Sequence, residues 1–415
     1  MLGPIPVWLD CDPGHDDATA ILLADVVPGA PKPLMRPPLL CPEIHGDSGL
    51  DGPGGGRLLP RSLRKPLTGR AVNVMYDAIA AAYYEGRRPG GSDGCVEGRG
   101  DGDASAAAAA AATVAVAPGA GRGHRVRLVC TGALTNAALL LSVYPEAAVM
   151  CEVVIMGGCL GVGNTGPVQE FNIQTDPEAA KIVFDSGVQL TMVPLEVTHT
   201  VLATPGVLTA IRSGAAHGAE AGGGEGGRGG DGDGGSQRAD GDGGSGGDGG
   251  GYSATPAGIA TAVGSLAIGP AAVAGASTAS ASAASDAASP FRHAVQQLLL
   301  FFADTYRRVF NFEDPPLHDP VAVAYVIAPQ LFSVRRLRVD VETSSPLSAG
   351  QTVVDVWGNG RSCGTAAAPG APPNADVALR VDVDGFWRLM LAAVERADAV
   401  SPLNRQPSTA NNLAS

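Results

Sequence analysis

The fold is decided by residues 5–24, whose sequence is IPVWLDCDPGHDDATAILLA. Residues 5–9 are apolar, as expected of a buried strand, and they lead into the acidic segment that begins at Asp10. Pro13 and Gly14 predict a turn, and residues 18–24 then predict a helix. A strand, a turn and a helix in this order are typical of the start of an α/β fold.

The rest of the chain continues this alternation and predicts an α/β fold with a mostly parallel, doubly wound sheet flanked by helices. We predict further strands at residues 126–130, 153–156, 189–193, 337–341, 352–356 and 377–381. We predict further helices at residues 71–84, 137–143, 177–185, 291–310, 318–327 and 386–397. Residues 25–42 contain six prolines and predict neither a buried strand nor an amphipathic helix. We expect residues 1–415 to form a single domain.

Two low-complexity segments interrupt this pattern. Residues 92–123 are rich in Gly, Ala and Asp, and residues 213–290 are first rich in Gly and Asp and then in Ala, Ser and Gly. Such compositions bury too little apolar surface to offset the conformational entropy that is lost on ordering. We therefore predict two inserted segments, of which the second is disordered.

Bulk composition argues against several functions. The formal net charge of -13 argues against non-specific binding of nucleic acid, which needs a basic surface. The seven cysteines include no C-x-x-C pair, so a disulfide framework or zinc site is not expected and a reducing compartment fits better. No apolar run reaches the roughly 20 residues of a membrane helix, and no signal-peptide pattern is present. We expect a soluble, cytoplasmic protein.

The acidic turn carries the strongest chemical signal. Asp10, Asp12, Asp16 and Asp17 place four carboxylates within eight positions at the carboxyl end of a strand, where ligand sites of α/β sheets form. Carboxylates this close repel each other unless a cation or protons intervene. Oxygen ligands without histidine or thiolate favour calcium or magnesium over zinc. One or two aspartates would fit an ordinary helix N-terminus, but four around a Pro-Gly turn fit it poorly.

Five segments together carry a family resemblance. Residues 10–18, DCDPGHDDA, resemble the N-terminal fingerprint of the inosine–uridine-preferring nucleoside hydrolases. Matches to the same family follow in its order at residues 44–50, 128–136, 156–180 and 317–320. The resemblance implies a nucleoside-hydrolase-like fold and hydrolysis of the N-glycosidic bond of ribonucleosides to free base and ribose, in purine or pyrimidine salvage. It also implies a nucleoside as the binding partner and a homo-oligomer, either a dimer or a tetramer.

For the metal site, the resemblance implies a bound calcium ion (Ca2+). Its ligands would be the carboxylates of Asp12, Asp17 and Asp319 together with the backbone carbonyl of Thr131, a mixture that calcium accepts. Asp12 would also be the general base that takes the proton of the attacking water. Taken alone, an aspartate in a His-Asp-Pro sequence would more often be a helix cap.

The resemblance implies further roles around the sugar and the base. Asp16 and Asn172 would bind ribose hydroxyl groups, and Asn164 and Glu170 would bind the side of the 5′-hydroxyl. Carboxylate and amide oxygens suit this place because they stabilise the positive charge of an oxocarbenium-like sugar. His318 would lie near the leaving base and protonate it, since histidine titrates in the required range.

Two further residues are candidates for contact with the nucleobase. His45 lies in the segment at residues 44–50, and Tyr306 lies on the helix that precedes His318. A structural role fits each of them equally well, in a loop for His45 and in the core for Tyr306. Residues 315–320, PPLHDP, most resemble uridine-cleaving members and weakly favour uridine as a substrate.

The chain departs from the family pattern after its first helix. The family has a second strand there, which ends near a Gly-Asn pair and is followed by another helix, whereas this chain passes directly to a proline-rich loop at residues 26–38. A strand–helix unit of roughly 30 residues is therefore missing, and the asparagine that lies near the metal and ribose has no counterpart. A mispredicted exon, a truncated splice form and an inactive homologue would each explain the gap.

Two alternative functions stay open on the sequence alone. A haloacid-dehalogenase-like phosphatase also begins with D-x-D after a strand and would use magnesium, but that family lacks the P-G-x-D-D-A continuation. A catalytically dead homologue that binds nucleoside or calcium, or acts as a scaffold, would keep the same motifs. Phosphate release would favour the first alternative, and nucleoside binding without turnover would favour the second.

Overall fold

The computed structural model describes residues 6–12, 25–46, 66–85, 125–214, 260–264, 288–358 and 371–405. The helix predicted at residues 18–24, the insertion at 92–123 and two of the acidic candidates, Asp16 and Asp17, lie outside the described residues. All other candidate site residues lie within the described part.

The strands of the described part form one large and one small sheet. They are β1 (Val7–Cys11), β2 (Asp25–Pro28), β3 (Val126–Cys130), β4 (Cys151–Met156), β5 (Gln189–Val193), β6 (Ala260–Gly264), β7 (Phe332–Leu337), β8 (Val339–Val341), β9 (Thr352–Val354) and β10 (Ala375–Val381). The large sheet has the order β2-β6-β1-β3-β4-β5-β10-β7, and β8 pairs with β9. β1, β3, β4, β5 and β10 run parallel, whereas β6 is antiparallel to β1 and β2, and β7 is antiparallel to β10.

Helices connect and flank these strands. They are α1 (Pro42–His45), α2 (Ala71–Glu85), α3 (Thr135–Val143), α4 (Ala147–Met150), α5 (Phe171–Thr175), α6 (Pro177–Asp185), α7 (Leu195–Thr198), α8 (Pro205–Ser213), α9 (Pro290–Phe310), α10 (Asp319–Ile327) and α11 (Val383–Val400). Within the described ranges, no helix is both long and apolar enough to span a bilayer.

Apolar side chains are buried on both faces of the sheet. Every residue of β4 is buried; Val153 and Ile155 belong to one hydrophobic cluster, and Val154 and Met156 belong to another. Successive strand residues point to opposite faces. The first cluster includes side chains of α2, α3 and α6, and the second includes those of α8, α9, α10 and α11. A helical layer therefore covers each face, which confirms the mostly parallel, doubly wound fold that the sequence predicts.

The strands differ from the prediction at three places, and helices α1, α4, α5, α7 and α8 were not predicted. β2 lies in the proline-rich stretch, and its one proline, Pro28, is its last residue, where a missing N–H interrupts only the end of the ladder. β6 lies within residues 213–290, which we predicted to be disordered; its sequence, ATAVG, includes β-branched residues that favour a strand. The strand predicted at 337–341 contains β8 but only the last residue of β7, because the chain leaves the large sheet after Leu337 and pairs with β9 from Val339.

The ends of the segment predicted at residues 213–290 are held together. α8 ends at Ser213 and α9 begins at Pro290. The guanidinium group of Arg292 donates to the Ile211 carbonyl at 2.9 Å and to the Asp398 carboxylate at 2.7 Å. This arginine therefore joins α8, α9 and α11 at the point where the segment leaves and re-enters the fold.

Candidate active site

The carboxyl ends of the parallel strands meet at one edge of the sheet and carry several candidate residues. Asp12 directly follows β1, and Thr131 directly follows β3. Residues 157–169 follow β4 and form the 157–169 loop, which leads to Glu170 and α5, and α7 follows β5. Because ligand sites of open α/β sheets form at this edge, the fold brings side chains together that are far apart in the sequence.

Asp12 lies against the turn that follows β3. A Cβ atom on Gly132 would lie 2.5 Å from Asp12 Oδ1, so any other residue at position 132 would displace this carboxylate. The N–H of the preceding residue, Thr131, donates to the Asp10 carbonyl at 2.9 Å. The two predicted oxygen ligands, the Asp12 carboxylate and the Thr131 carbonyl, therefore lie on adjacent strand ends.

The carboxylate of Asp10 is part of a buried hydrogen-bond chain. Its Oδ1 accepts a hydrogen bond from Asn136 Nδ2 at 3.0 Å. The Oδ1 of the same asparagine accepts the N–H of Ala30 at 2.9 Å. Asp10 and Asn136 thus join β1, α3 and the segment after β2, and they brace the strand end from which Asp12 projects.

Asn172 bridges the ends of β3 and β4. Its Nδ2 donates to the Thr131 carbonyl at 2.8 Å and to the Met156 carbonyl at 3.0 Å. These two bonds fix the orientation of the side-chain amide, and its Oδ1 points the other way. The structure therefore brings Asn172 to the predicted metal ligand Thr131 and leaves an amide oxygen suited to a hydroxyl group.

Glu170 is a buried cap at the start of α5. One carboxylate oxygen accepts the N–H of Asn172 at 2.9 Å, and the other accepts the N–H groups of Gly158 and Ile173 at 2.9 and 3.1 Å. Burial raises the pKa of Glu170 to about 7, although these three donors favour the ionised form. Its predicted contact with a 5′-hydroxyl stays a prediction.

Asn164 is held at the base of the 157–169 loop. Its Oδ1 accepts the N–H of Phe171 at 3.0 Å, and its own N–H donates to the Gln169 carbonyl at 3.1 Å. The side chain therefore lies beside the start of α5, close to Glu170. Its predicted contact with a 5′-hydroxyl stays a prediction.

His318 is held by a hydroxyl group on each side of its ring. Nδ1 lies 2.8 Å from Thr198 Oγ1, and Nε2 lies 2.7 Å from the Tyr306 hydroxyl. Thr198 Oγ1 also donates to the Leu195 carbonyl at 3.3 Å. A threonine that donates there accepts from the histidine, so this geometry favours a proton on Nδ1 and makes Nε2 the acceptor of the phenol proton.

Aromatic rings surround Tyr306. The ring of His45 stacks on Phe302 at 5.8 Å between centroids, and Phe302 lies 4.6 Å from Tyr306. His199 lies 5.5 Å from the ring of His318, and burial lowers the pKa of His199. The structure thus places both nucleobase candidates, His45 and Tyr306, in one cluster beside His318. Their contact with a base stays a prediction.

The proposed metal ligands lie only partly within the described residues. Asp319 is the buried first residue of α10, which packs against β3 and β4. Asp17 lies outside the described residues. Among those that are described, no three His, Cys, Asp or Glu side chains form a group able to hold a metal ion. The meeting of Asp12, Asp17 and Asp319 therefore stays a prediction.

Three residues at this edge have no predicted role. Thr198 fixes His318, Asn136 binds Asp10, and Glu196 contacts the 157–169 loop. Thr198 and Glu196 lie on α7, a helix too short for its periodicity to be visible in the sequence. The available signal is their position just after a predicted strand, since that edge of the sheet collects functional residues.

Comparison with known proteins agrees with this fold. The sequence profile of the family described as inosine-uridine preferring nucleoside hydrolase matches residues 24–388. A probable ribonucleoside hydrolase of Dictyostelium discoideum is 30% identical, over 94% of this chain and 94% of that protein. A pyrimidine-specific ribonucleoside hydrolase of Salmonella agona is 28% identical, over 93% of this chain and 97% of that protein.

Solved structures show the same fold. A purine-preferring ribonucleoside hydrolase from Gardnerella vaginalis has a TM-score of 0.59 at 19% identity, covering 95% of this chain and 99% of that one. A plant nucleoside hydrolase has a TM-score of 0.58 at 19% identity, covering 94% and 99%.

The fold and the edge residues define an α/β enzyme of the nucleoside hydrolase class. The chain belongs to the inosine-uridine preferring nucleoside hydrolase family, and a nucleoside is its substrate. The matched range begins at residue 24, so the N-terminal acidic motif lies before it. The family assignment argues against the phosphatase alternative.

Proposed function

We propose that this chain cleaves uridine- and inosine-type ribonucleosides to free base and ribose, with calcium at the carboxyl edge of the sheet. The proposal rests on one observation, the fixation of buried His318 by hydroxyls on both ring nitrogens. The Asp12, Thr131 and Asn172 oxygens at this edge suit a sugar and a hard cation, and His318 suits a leaving base. We further propose a cytoplasmic dimer or tetramer.

The residues present fit a calcium ion. The Asp12 carboxylate and the Thr131 carbonyl are hard oxygen donors on adjacent strand ends. The neighbouring thiol of Cys130 stays protonated, because burial raises its pKa well above the ordinary value, so it does not compete as a soft ligand. Asp17 and Asp319 would complete the ligand set. When bound, calcium would hold ribose hydroxyls and make a bound water more acidic.

Asp12 and Asn172 act on the sugar side. Asp12 takes the proton of the attacking water. Asn172 Nδ2 is used by two backbone carbonyls, so its Oδ1 is the atom that accepts a ribose hydroxyl. As the glycosidic bond breaks, positive charge grows on the sugar, and these fixed oxygens stabilise it without having to reorganise.

Tyr306 and His318 form a relay on the side of the leaving base. With His318 neutral, the phenol of Tyr306 donates to Nε2. Once protonated, His318 would donate from Nε2 to the phenol oxygen, which releases the Tyr306 proton to the departing base. Thr198 keeps the ring oriented in both states. The two residues thus supply general-acid catalysis, and His318 acts through Tyr306.

Uridine is the first substrate to test. The Salmonella agona relative is described as pyrimidine-specific, and residues 315–320 resemble uridine-cleaving members. The purified chain should release reducing sugar from uridine, and to a measurable extent from inosine. A chelator should abolish this release and added calcium should restore it. Activity that ignores chelation would contradict the calcium part of the proposal.

Asp12→Ala separates an active enzyme from an inactive homologue. We expect the variant to lose turnover and to bind calcium more weakly by calorimetry, because it removes both a base and a ligand. Asp185→Ala, an exposed aspartate on α6, is the control and should change neither. If wild-type protein binds uridine but releases no ribose, the chain is a dead homologue, which the missing asparagine after the first helix would explain.

A further inference from the structure

The 157–169 loop is anchored by a side chain that lies outside it. Glu196 Oε1 accepts the N–H of Leu160 at 2.7 Å and the N–H of Gly161 at 3.0 Å. Hydrogen bonds to a carboxylate are roughly twice as strong as those between neutral groups. A single oxygen therefore fixes two consecutive peptide groups of the loop that carries Asn164.

The carboxylate of Glu196 is directed into the protein. Its Oε2 is buried and has no hydrogen-bond partner within the part of the chain that the structure describes. Burying such an oxygen is costly, and a loop without a required geometry would not need this anchor. The arrangement therefore indicates that the position of the loop, rather than its mere closure, depends on Glu196.

The helix that carries Glu196 also contacts the other side of the site. The N–H of Leu195 donates to the Gly158 carbonyl at 3.0 Å, which ties α7 to the start of the loop. Thr198, on the same short helix, holds His318. α7 therefore connects the residues on the sugar side with those on the side of the leaving base.

We propose that Glu196 is a positioning residue for the 5′ end of the nucleoside. It holds the 157–169 loop so that Asn164 meets the 5′-hydroxyl group, and it does not itself touch the substrate. The inference rests on the proposed function, which places Asn164 at that hydroxyl. A residue that acts only through one substrate group leaves a clear signature, because its effect disappears when that group is removed from the substrate.

Kinetics with uridine and 5′-deoxyuridine test this signature. Glu196→Ala should lower kcat/KM for uridine by about tenfold or more, mainly through KM, as expected for a weakened hydrogen bond to a substrate hydroxyl. For 5′-deoxyuridine, Glu196→Ala should lower kcat/KM by no more than about twofold, because this substrate has no 5′-hydroxyl for Asn164 to bind. Glu196→Gln keeps an acceptor oxygen and should recover most of the uridine rate.

A double-mutant comparison with Asn164→Ala and a control variant complete the test. Asn164→Ala should show the same dependence on substrate, and adding Glu196→Ala to it should cause no further loss. Glu342→Ala is the matched control, because one oxygen of Glu342 also accepts two consecutive N–H groups, those of Ser344 and Ser345. Glu342→Ala should not change the ratio of kcat/KM for uridine to kcat/KM for 5′-deoxyuridine. If Glu196→Ala does not fold, Glu196→Met keeps the side-chain volume without the acceptor and takes its place.

Equal losses on both substrates, or additive losses in the double variant, would overturn the positioning role. They would show that Glu196 supports the fold or the site in general. Failure of the proposed function looks different, because wild-type protein would then release no ribose from either substrate.

Discussion

At the scale of single residues, the orientation of His318 depends on hydroxyl groups that lie 120 and 12 residues away along the chain. Thr198 and Tyr306 each hold one ring nitrogen, and the histidine is only 6% exposed. The ring cannot turn without breaking one of these bonds and leaving a buried polar atom unsatisfied, which costs about 1–3 kcal/mol. The His318 ring, on the proposed leaving-group side of the site, is therefore already oriented before a nucleoside binds.

Tyr306→Phe tests the relay at this scale. The variant keeps the ring in its aromatic cluster and removes only the hydroxyl on His318. We expect kcat for uridine to fall by about 100-fold or more, because a general acid typically accelerates a reaction by at least this factor. With p-nitrophenyl ribofuranoside, whose leaving group needs no proton, the loss should stay within about threefold.

The control for this variant is Tyr76→Phe. Tyr76 lies on α2, and its hydroxyl bonds to the exposed side chain of Glu146, so neither substrate should be affected. If Tyr306→Phe lowers kcat equally for uridine and for p-nitrophenyl ribofuranoside, Tyr306 serves packing and not proton transfer.

Glu170 gives a pH dependence whose sign can be worked out. Its pKa is about 7 in the folded protein, above the ordinary value of 4.5, so the folded state binds the proton more tightly. This stabilisation is fully present below pH 4.5 and is lost as the pH rises through about 7. Urea unfolding of chelated protein should show a steeper loss of stability over this interval in wild type than in Glu170→Ala. Parallel curves would contradict the raised pKa.

Candidate residues in local motifs could be proposed from the sequence, whereas residues whose partners lie elsewhere in the fold could not. The Asp12, Asn172 and His318 positions follow from short sequence patterns. Thr198 and Glu196 do not, because their partners lie on other strands and only the sheet brings them together. The contact of Asp12 with Gly132 could not be predicted either, because it depends on the pairing of β1 with β3.

At the scale of elements, the central parallel strands were predictable because they are rich in apolar residues that are buried on both faces. β4 is an example, since residues 153–156 are all apolar and buried. The helix α6 matches its predicted bounds, with Asp176 as its cap. The elements that sequence reasoning missed are short or lie at the flanks of the sheet. β6 pairs with β1 and with β2, whereas β2 pairs with β6 alone, and neither strand has a distinct apolar pattern of its own.

Ala262→Pro tests the pairing of β6. Ala262 lies opposite Leu9 on β1 and opposite Val26 on β2. A proline there removes an N–H from a strand paired on both sides. We expect the free energy of unfolding to fall by about 1–3 kcal/mol in chemical denaturation. The free energy of unfolding of Ala274→Pro, a variant in the same segment but outside the described residues, is measured for comparison. Equal stability of wild type and Ala262→Pro would contradict this pairing.

At the scale of the whole molecule, the site combines residues from distant parts of the chain. Asp12 lies near the N-terminus and Asp319 lies beyond the second low-complexity segment, so a shared ion would link both parts of the fold. Family membership was predicted from five motifs in the order of the family, and the family profile confirms it over residues 24–388. The absence of a strand–helix unit after the first helix stays a prediction, and the antiparallel β6 that lies beside β1 was not predicted.

Calcium should therefore stabilise the whole fold. A ligand that binds only the folded state adds RT ln(1 + [L]/Kd), about 2.7 kcal/mol at 100 times Kd. We expect the Tm of chelated protein to rise with calcium concentration in differential scanning fluorimetry. Magnesium should have a smaller effect because it requires stricter octahedral geometry. Asp319→Asn should reduce the calcium shift, and an undiminished shift in that variant would remove Asp319 from the ligand set.

The Arg292 bonds to Ile211 and Asp398 have an evolutionary consequence. When the two ends of a chain segment are fixed side by side, each doubling of its length adds only about 0.6 kcal/mol to the entropic cost of closing the loop. Gains and losses of Gly, Asp and Ala codons between α8 and α9 are therefore nearly neutral for the rest of the fold, provided that they spare β6. Selection would act on that strand and on the arginine, while the surrounding tract is left to drift.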